Sequence, residues 1–155
     1  PMVNTRQQAE NAAYAAYYAP RGGRSIGPFA AGFLGSDYMT RFEEELLLMP
    51  QVETGEAIQN LKDILSVEGV HGCCIGPVDL ARSLGIDVSK DSGRSELEKV
   101  ILEALDICVK SGKIPGILGG NAEYWIPKGF LFAVTGMDKT YILRGAEADL
   151  KKMGR

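Results

Sequence analysis

The chain has 155 residues, 45% of them hydrophobic and 24% charged, which suits one globular domain with its own core. Its formal net charge of −3 is spread over interspersed acids and bases, which excludes a basic nucleic-acid stripe and a polybasic membrane tail. No apolar run approaches the roughly 18 residues of a membrane-spanning helix, and residues 1–5 lack the charged and apolar regions of a signal peptide.

In chain order, Asn4-Thr5 offers an N-cap to a helix over 6–18, rich in Ala, Gln and Glu. Pro20 and Gly22-Gly23 stop it, and a glycine-rich loop over 22–35 contains Arg24-Ser25-Ile26-Gly27-Pro28. A short helix or turn is expected over 37–45 and a strand over 46–52. Ala57, Ile58, Leu61, Ile64 and Leu65 recur at helical spacing and predict a helix from 54 or 55 to about 67. Residues 70–75 read as a strand buried on both faces. A helical turn over 79–84, ended by Gly85, and a polar loop over 86–93 follow. A long amphipathic helix over 95–111 is then capped by Ser95. Strands over 113–118 and 130–135 flank a short helix over 122–128, and a last helix covers 138–153.

Alternating strands and helices predict a parallel sheet in a single domain over 1–155. A complete eight-stranded β/α barrel needs about 250 residues, so this length suits about five of its eight β/α units; a small open doubly wound sheet is the alternative. The abrupt start at Pro1, with a strand stub over 1–3, reads as an N-terminally incomplete domain. Cys73, Cys74 and Cys108 lack zinc-ligand spacing. Cys73 and Cys74 lie in an apolar strand pattern, so the three read as buried, reduced thiols of a cytosolic protein.

In parallel β/α folds, function gathers at the carboxyl ends of the strands. Glu53 and Asp79 each follow an apolar strand, 26 positions apart, with a helix between them. A strand–helix–strand unit brings both carboxylates to one edge, on strands roughly 5 Å apart. Spacing alone leaves two readings: solvated acids near helix N-termini, or ligands of a divalent cation between them. Gln51 shares a strand face with Glu53 by the two-residue period, and two oxygen ligands with open positions suit Mg²⁺ or Mn²⁺ better than structural zinc. Gly76-Pro77-Val78-Asp79 is either an ordinary βα turn or a loop whose N–H groups take a small anion. His71, the single histidine, starts its strand at the opposite edge and reads as structural. Arg24 and Ser25 read as loop structure, and Tyr14, Tyr17 and Tyr18 as packing. No Walker loop, GxGxxG, HExxH or Ser–His–Asp set is present.

Gln51-Val52-Glu53-Thr54, followed by Val67-Glu68-Gly69-Val70 and Ile75-Gly76-Pro77-Val78-Asp79-Leu80, resembles the HpcH/HpaI aldolase/citrate lyase family. Residues 1–5, 19–28 and the Gly112-Lys113 and Pro115-Gly116-Ile117 segments fit the same pattern in order. The resemblance implies a partial (β/α)8 TIM barrel of the phosphoenolpyruvate/pyruvate type, beginning at the likeness of the fourth strand. It implies a class II pyruvate aldolase that cleaves 2-keto-4-hydroxy acids to pyruvate and an aldehyde through a metal-stabilised pyruvate enolate. On that likeness Glu53 and Asp79 hold Mg²⁺ or Mn²⁺, with Co²⁺ or Zn²⁺ as substitutes. Gln51 lines the pocket, and Gly76, Pro77, Val78 and Asp79 bind the substrate carboxylate. The arginine and histidine that complete the family's chemistry have no counterpart here. The resemblance implies a homo-oligomer with small oxoacid partners, and charge, hydropathy and cysteine usage add the cytoplasm with neither nucleic acid nor membrane as partner. Two alternatives stand beside it: a β subunit acting on an acyl-CoA thioester, as in the citrate lyase branch, and a non-catalytic barrel fragment that binds metal or oxoacid or serves assembly.

Overall fold

A computed structural model of the chain describes residues 1–27, 33–119 and 121–154. In chain order its elements are α1 (Arg6–Ala16), α2 (Tyr38–Glu45), β1 (Gln51–Val52), α3 (Gly55–Gln59), α4 (Leu61–Leu65), β2 (Gly72–Ile75), α5 (Pro77–Leu84), α6 (Asp91–Lys110), β3 (Ile114–Leu118), α7 (Ala122–Trp125) with a 3₁₀ turn at Ile126–Lys128, β4 (Phe132–Val134) and α8 (Asp138–Lys152). The four strands form one parallel sheet in the order β1-β2-β3-β4. Every crossover is helical, as parallel neighbours require. The molecule is therefore an α/β fold, as expected, with four paired strands among the described residues. The expected strand stub over 1–3 contributes one sheet contact, from Val3 N to Gln51 O at 3.2 Å.

The sheet's faces differ. Val52, Cys73, Ile75 and Ile117 share a single apolar core with Ala9, Leu61, Ile64, Leu80 and Ile101 of the helices. Burial of each such large aliphatic side chain contributes roughly 1.5–3 kcal/mol. Alternation turns Gln51, Cys74 and Gly116 to the other face, where Gln51 pairs with Cys74 and Cys74 with Gly116. The helix α8 buries none of its residues. Among the described residues no helix is long and apolar enough to cross a membrane.

Several boundaries differ from expectation. The strand read over 46–52 narrows to two residues because Pro50 has no N–H to donate. Its carbonyls still pair: Leu48 O accepts from His71 N and Pro50 O from Cys74 N, both at 2.9 Å. The helix read over 54–67 breaks at Asn60 (φ −93°, ψ 7°), whose amide donates to Asn4 O at 2.9 Å. The first helix ends at Ala16, and Tyr17 and Tyr18 pack edge-on against Phe42 instead. Its N-cap is Thr5, which forms a capping box with Gln8.

Two helices begin earlier than the sequence suggests. Pro77 occupies the first turn of α5, where its missing N–H costs nothing and its φ is preset. The long helix starts at Asp91, not at Ser95. Gly93, read as loop, is a buried helical residue where a Cβ would lie 2.1 Å from Asp87 O. The 86–90 turn thus folds directly onto the first turn of α6. Pro28 of the glycine-rich loop lies outside the described residues.

Candidate metal and oxoacid site

The carboxyl edge of β1 and β2 carries the residues singled out by sequence. Glu53 directly follows β1, and Thr54 caps α3 by accepting from Ala57 N at 3.1 Å. Thr54 in turn donates its hydroxyl to Asn4 Oδ1 at 2.7 Å. The segment after β1 is thereby fixed to the start of the chain, and Glu53 with it.

Glu53 is only 6% exposed and is the one buried charged residue among the described residues. Its Oε2 accepts the Met2 backbone N–H at 2.9 Å. No ion pair among the described residues includes it. A buried carboxylate without a cation is costly, and one hydrogen bond offsets only part of that cost. Cys74 shares this environment: burial, and then the Glu53 charge, push its thiol up to about 11. The thiol stays protonated beside the carboxylate.

Gly76 is the contact between the two strand ends. Its N–H donates to Val52 O at 3.1 Å. A Cβ there would lie 2.6 Å from Glu53 Oε1, so the glycine leaves the space that the carboxylate occupies. Asp79 stands three residues further on, exposed in the first turn of α5. Gln51 is half-buried on the face that it shares with Cys74. The expected four-residue N–H cradle narrows, because Gly76 N–H is spent in the sheet and Pro77 has none. Val78 and Asp79 carry the N–H groups free at the N-terminus of α5, where the helix dipole also favours an anion.

Glu53 and Asp79 are both oxygen donors at this edge, the donor type that suits a hard divalent cation, and the buried one has no ion-pair partner among the described residues. No group of three or more His, Cys, Asp or Glu residues gathers among the described residues.

His71 sits at the amino edge of β2, as its place in the sequence implied. Its Nδ1 accepts from Leu48 N at 2.9 Å, and Nε2 lies 3.5 Å from the Tyr17 hydroxyl. Burial, then the Lys113 and Arg21 charges, lower its pKa and favour the neutral ring. Arg24 stacks over the Tyr18 and Phe42 rings at 4.9 and 4.8 Å. It packs the loop against the end of the first helix and α2.

Two features were missed from sequence. Met2 supplies the hydrogen bond to Glu53 from a left-handed backbone position (φ 58°), which no side-chain pattern announces. A cavity of about 470 Å³ opens beside α5, bounded by Pro77, Val78, Leu97, Ile101, Leu118 and Trp125 among others. Its walls come from four separate elements, so only the fold assembles it.

The family model described as HpcH/HpaI aldolase/citrate lyase matches residues 1–138. A hydroxypyruvate/pyruvate aldolase of Rhizorhabdus wittichii is 38% identical over 142 residues, covering 89% of this chain and 57% of that protein. A 4-hydroxy-2-oxo-heptane-1,7-dioate aldolase of Escherichia coli is 35% identical over 161 residues, covering 99% of this chain and 61% of that protein. The solved structure of a family protein from Burkholderia cenocepacia superposes with a TM-score of 0.82 at 23% identity, over 100% of this chain and 63% of that one, a likeness of fold. The chain thus spans 57% to 63% of the lengths of these three relatives.

Proposed function

The chain belongs to the HpcH/HpaI aldolase/citrate lyase family, and on that premise we propose that it is part of a metal-dependent aldolase that cleaves 2-keto-4-hydroxy acids to pyruvate and an aldehyde. The observation that carries this reading is Glu53, a buried carboxylate at the carboxyl edge of a parallel sheet with no ion-pair partner among the described residues. The relatives named as aldolases support the reaction class. The sheet is read as part of a (β/α)8 barrel, about five β/α units counting the 1–3 stub. Helices on one face of the strands support that reading over a doubly wound sheet.

In this reading Glu53 and Asp79 hold Mg²⁺ or Mn²⁺. When bound, the cation supplies Lewis-acid polarisation of the 2-oxo group, easing the negative charge that develops as the C3–C4 bond breaks. The residues of the chain do the rest. Met2 N–H fixes one carboxylate oxygen of Glu53, and Gly76 leaves room for the other. The Val78 and Asp79 N–H groups, with the positive end of α5, take the carboxylate of the oxoacid. Gln51 lines the floor, and Cys74 remains a neutral thiol that adds no competing charge. His71, at the opposite edge, is not proposed as the acid–base group.

The test is pyruvate release from a 4-hydroxy-2-oxo acid with Mg²⁺ or Mn²⁺, in the protein as its gene encodes it. Glu53→Ala is expected to lower the rate on the order of 100-fold or more. Equal rates in both proteins would contradict the reading. A homo-oligomer is part of the proposal: α8 buries no residue and exposes Tyr141, Ile142 and Leu143. Sedimentation as a monomer at micromolar concentration would oppose it. The three buried free thiols suit a reducing compartment, and the cytosol is proposed.

A further inference from the structure

The segment Met2-Val3-Asn4 lies along residues 51–54 and lends no side chain to the chemistry above. Val3 N–H donates to Gln51 O at 3.2 Å, and Met2 N–H to Glu53 Oε2 at 2.9 Å. Half-buried Asn4 anchors the segment at three points. Its Oδ1 accepts the Thr54 hydroxyl at 2.7 Å, its carbonyl accepts the Asn60 amide at 2.9 Å, and its N–H donates to Gln8 Oε1 at 2.6 Å. These partners stand at the N-cap of α3, at the joint between α3 and α4, and in the first turn of α1.

Two local costs accompany this anchorage. Among the described residues Met2 is the one non-glycine residue with a positive φ, and such a conformation persists only where its surroundings over-determine it. Asn60 interrupts the helical stretch between β1 and β2, and its side-chain amide goes to Asn4 O. A glutamate side chain turns about three torsions, so a donor at its tip selects among its rotamers. On the other side Gly76 sets the limit, since a Cβ there would lie 2.6 Å from Glu53 Oε1. The carboxylate thus lies between the Met2 donor and Gly76, and the donor is two residues from the three-point anchor.

We propose that Asn4 is a positioning residue for Glu53: by anchoring residues 2–4 it keeps the Met2 N–H on one carboxylate oxygen and so preorganises Glu53 for a divalent cation. The inference rests on the reading of Glu53 as a cation ligand and adds the residue that aims it. A carboxylate already oriented has less ordering to undergo when the ion arrives, so the groups that orient a ligand govern its affinity.

The experiment uses the protein as its gene encodes it and reads two quantities: Mn²⁺ affinity, and amide hydrogen exchange of the metal-free protein in chelator. Asn4→Ala is expected to weaken Mn²⁺ binding about tenfold and to speed exchange at the Met2 amide on the order of tenfold. Thr54→Val breaks the same bond from the other side and should weaken Mn²⁺ binding likewise. Asn4→Asp keeps the acceptor for Thr54 and every backbone bond, and should restore both readouts to within about threefold of the wild type. In a Glu53→Gln background Asn4→Ala should cost no further affinity, because Asn4 acts through that carboxylate. Tyr17→Phe, which removes a hydrogen bond to Gly69 O at the opposite edge of the sheet, should leave Mn²⁺ affinity unchanged. Unchanged affinity in Asn4→Ala and Thr54→Val, with affinity still lost in Glu53→Gln, would overturn the positioning role alone. So would an equal loss on Asn4→Ala with and without Glu53, or a matching loss in Tyr17→Phe. Wild-type affinity in Glu53→Gln would overturn the cation reading itself and the positioning role with it.

Discussion

Gly76→Ala is the substitution that reads the site geometry most sharply. At φ −103° and ψ 94° alanine meets no backbone strain. By itself the change should stabilise the fold by about 0.4–1 kcal/mol, by restricting the unfolded chain. The new methyl would instead lie 2.6 Å from Glu53 Oε1 and 2.8 Å from its Cγ. Ordinary contact needs about 3.5 Å, so the carboxylate must retreat by roughly 1 Å. Glu53 is buried and tied to Met2 N–H, so the retreat breaks that bond or crowds the sheet edge. Overpacking of this kind costs about 1–3 kcal/mol. Thermal unfolding in chelator should show a net loss, at about 2–4 °C per kcal/mol for a chain of this size. A double-mutant cycle isolates the cause: in a Glu53→Ala background the same Gly76→Ala change should be neutral or stabilising. An equal loss in both backgrounds would refute the proximity of Gly76 and Glu53.

Two further outcomes follow from the side chains. His71 has a lowered pKa in the fold, so its contribution is complete above the unfolded value of about 6.5 and is lost as pH falls through the lowered one. Melting temperatures between pH 5 and 8 should therefore decline on the acid side in the wild type and flatten there in His71→Gln; parallel curves would contradict a histidine held neutral by burial beside Lys113 and Arg21. All three cysteines are buried and free, and the Cys74 thiol is pushed up to about 11. An aromatic disulfide reagent at pH 8 should label none of them until the protein unfolds, and prompt labelling of one thiol in the native state would oppose that burial.

The parallel sheet was legible because apolar runs alternate with helical periodicity, and the site edge followed from it. Glu53 at the end of β1 needed only the strand's position. Asp79 was equally legible as a strand-end acid, although Pro77 opens its helix two residues earlier than expected. Strand lengths were less legible. Pro50 truncates β1 as a ladder while its carbonyl still accepts from Cys74, a distinction that hydrophobicity does not encode. Asn60 breaks one helix through a hydrogen bond to a residue 56 positions away. Gly93 read as the end of a polar loop, yet it is a helical residue where a Cβ would lie 2.1 Å from Asp87 O. The Met2 contact and the cavity beside α5 are products of assembly, made by groups whose types alone suggest no role.

Manganese binding tests the central claim most directly. Titration with Mn²⁺, followed by the electron paramagnetic resonance of the free ion, should show one site per chain in the wild type. Affinity should fall on the order of 100-fold in Glu53→Gln and 10-fold or more in Asp79→Asn. Glu53→Gln should melt no lower than the wild type in chelator, because the amide removes an uncompensated buried charge and can still accept from Met2 N–H. Unchanged manganese affinity in both variants would contradict the assignment of these carboxylates to the cation.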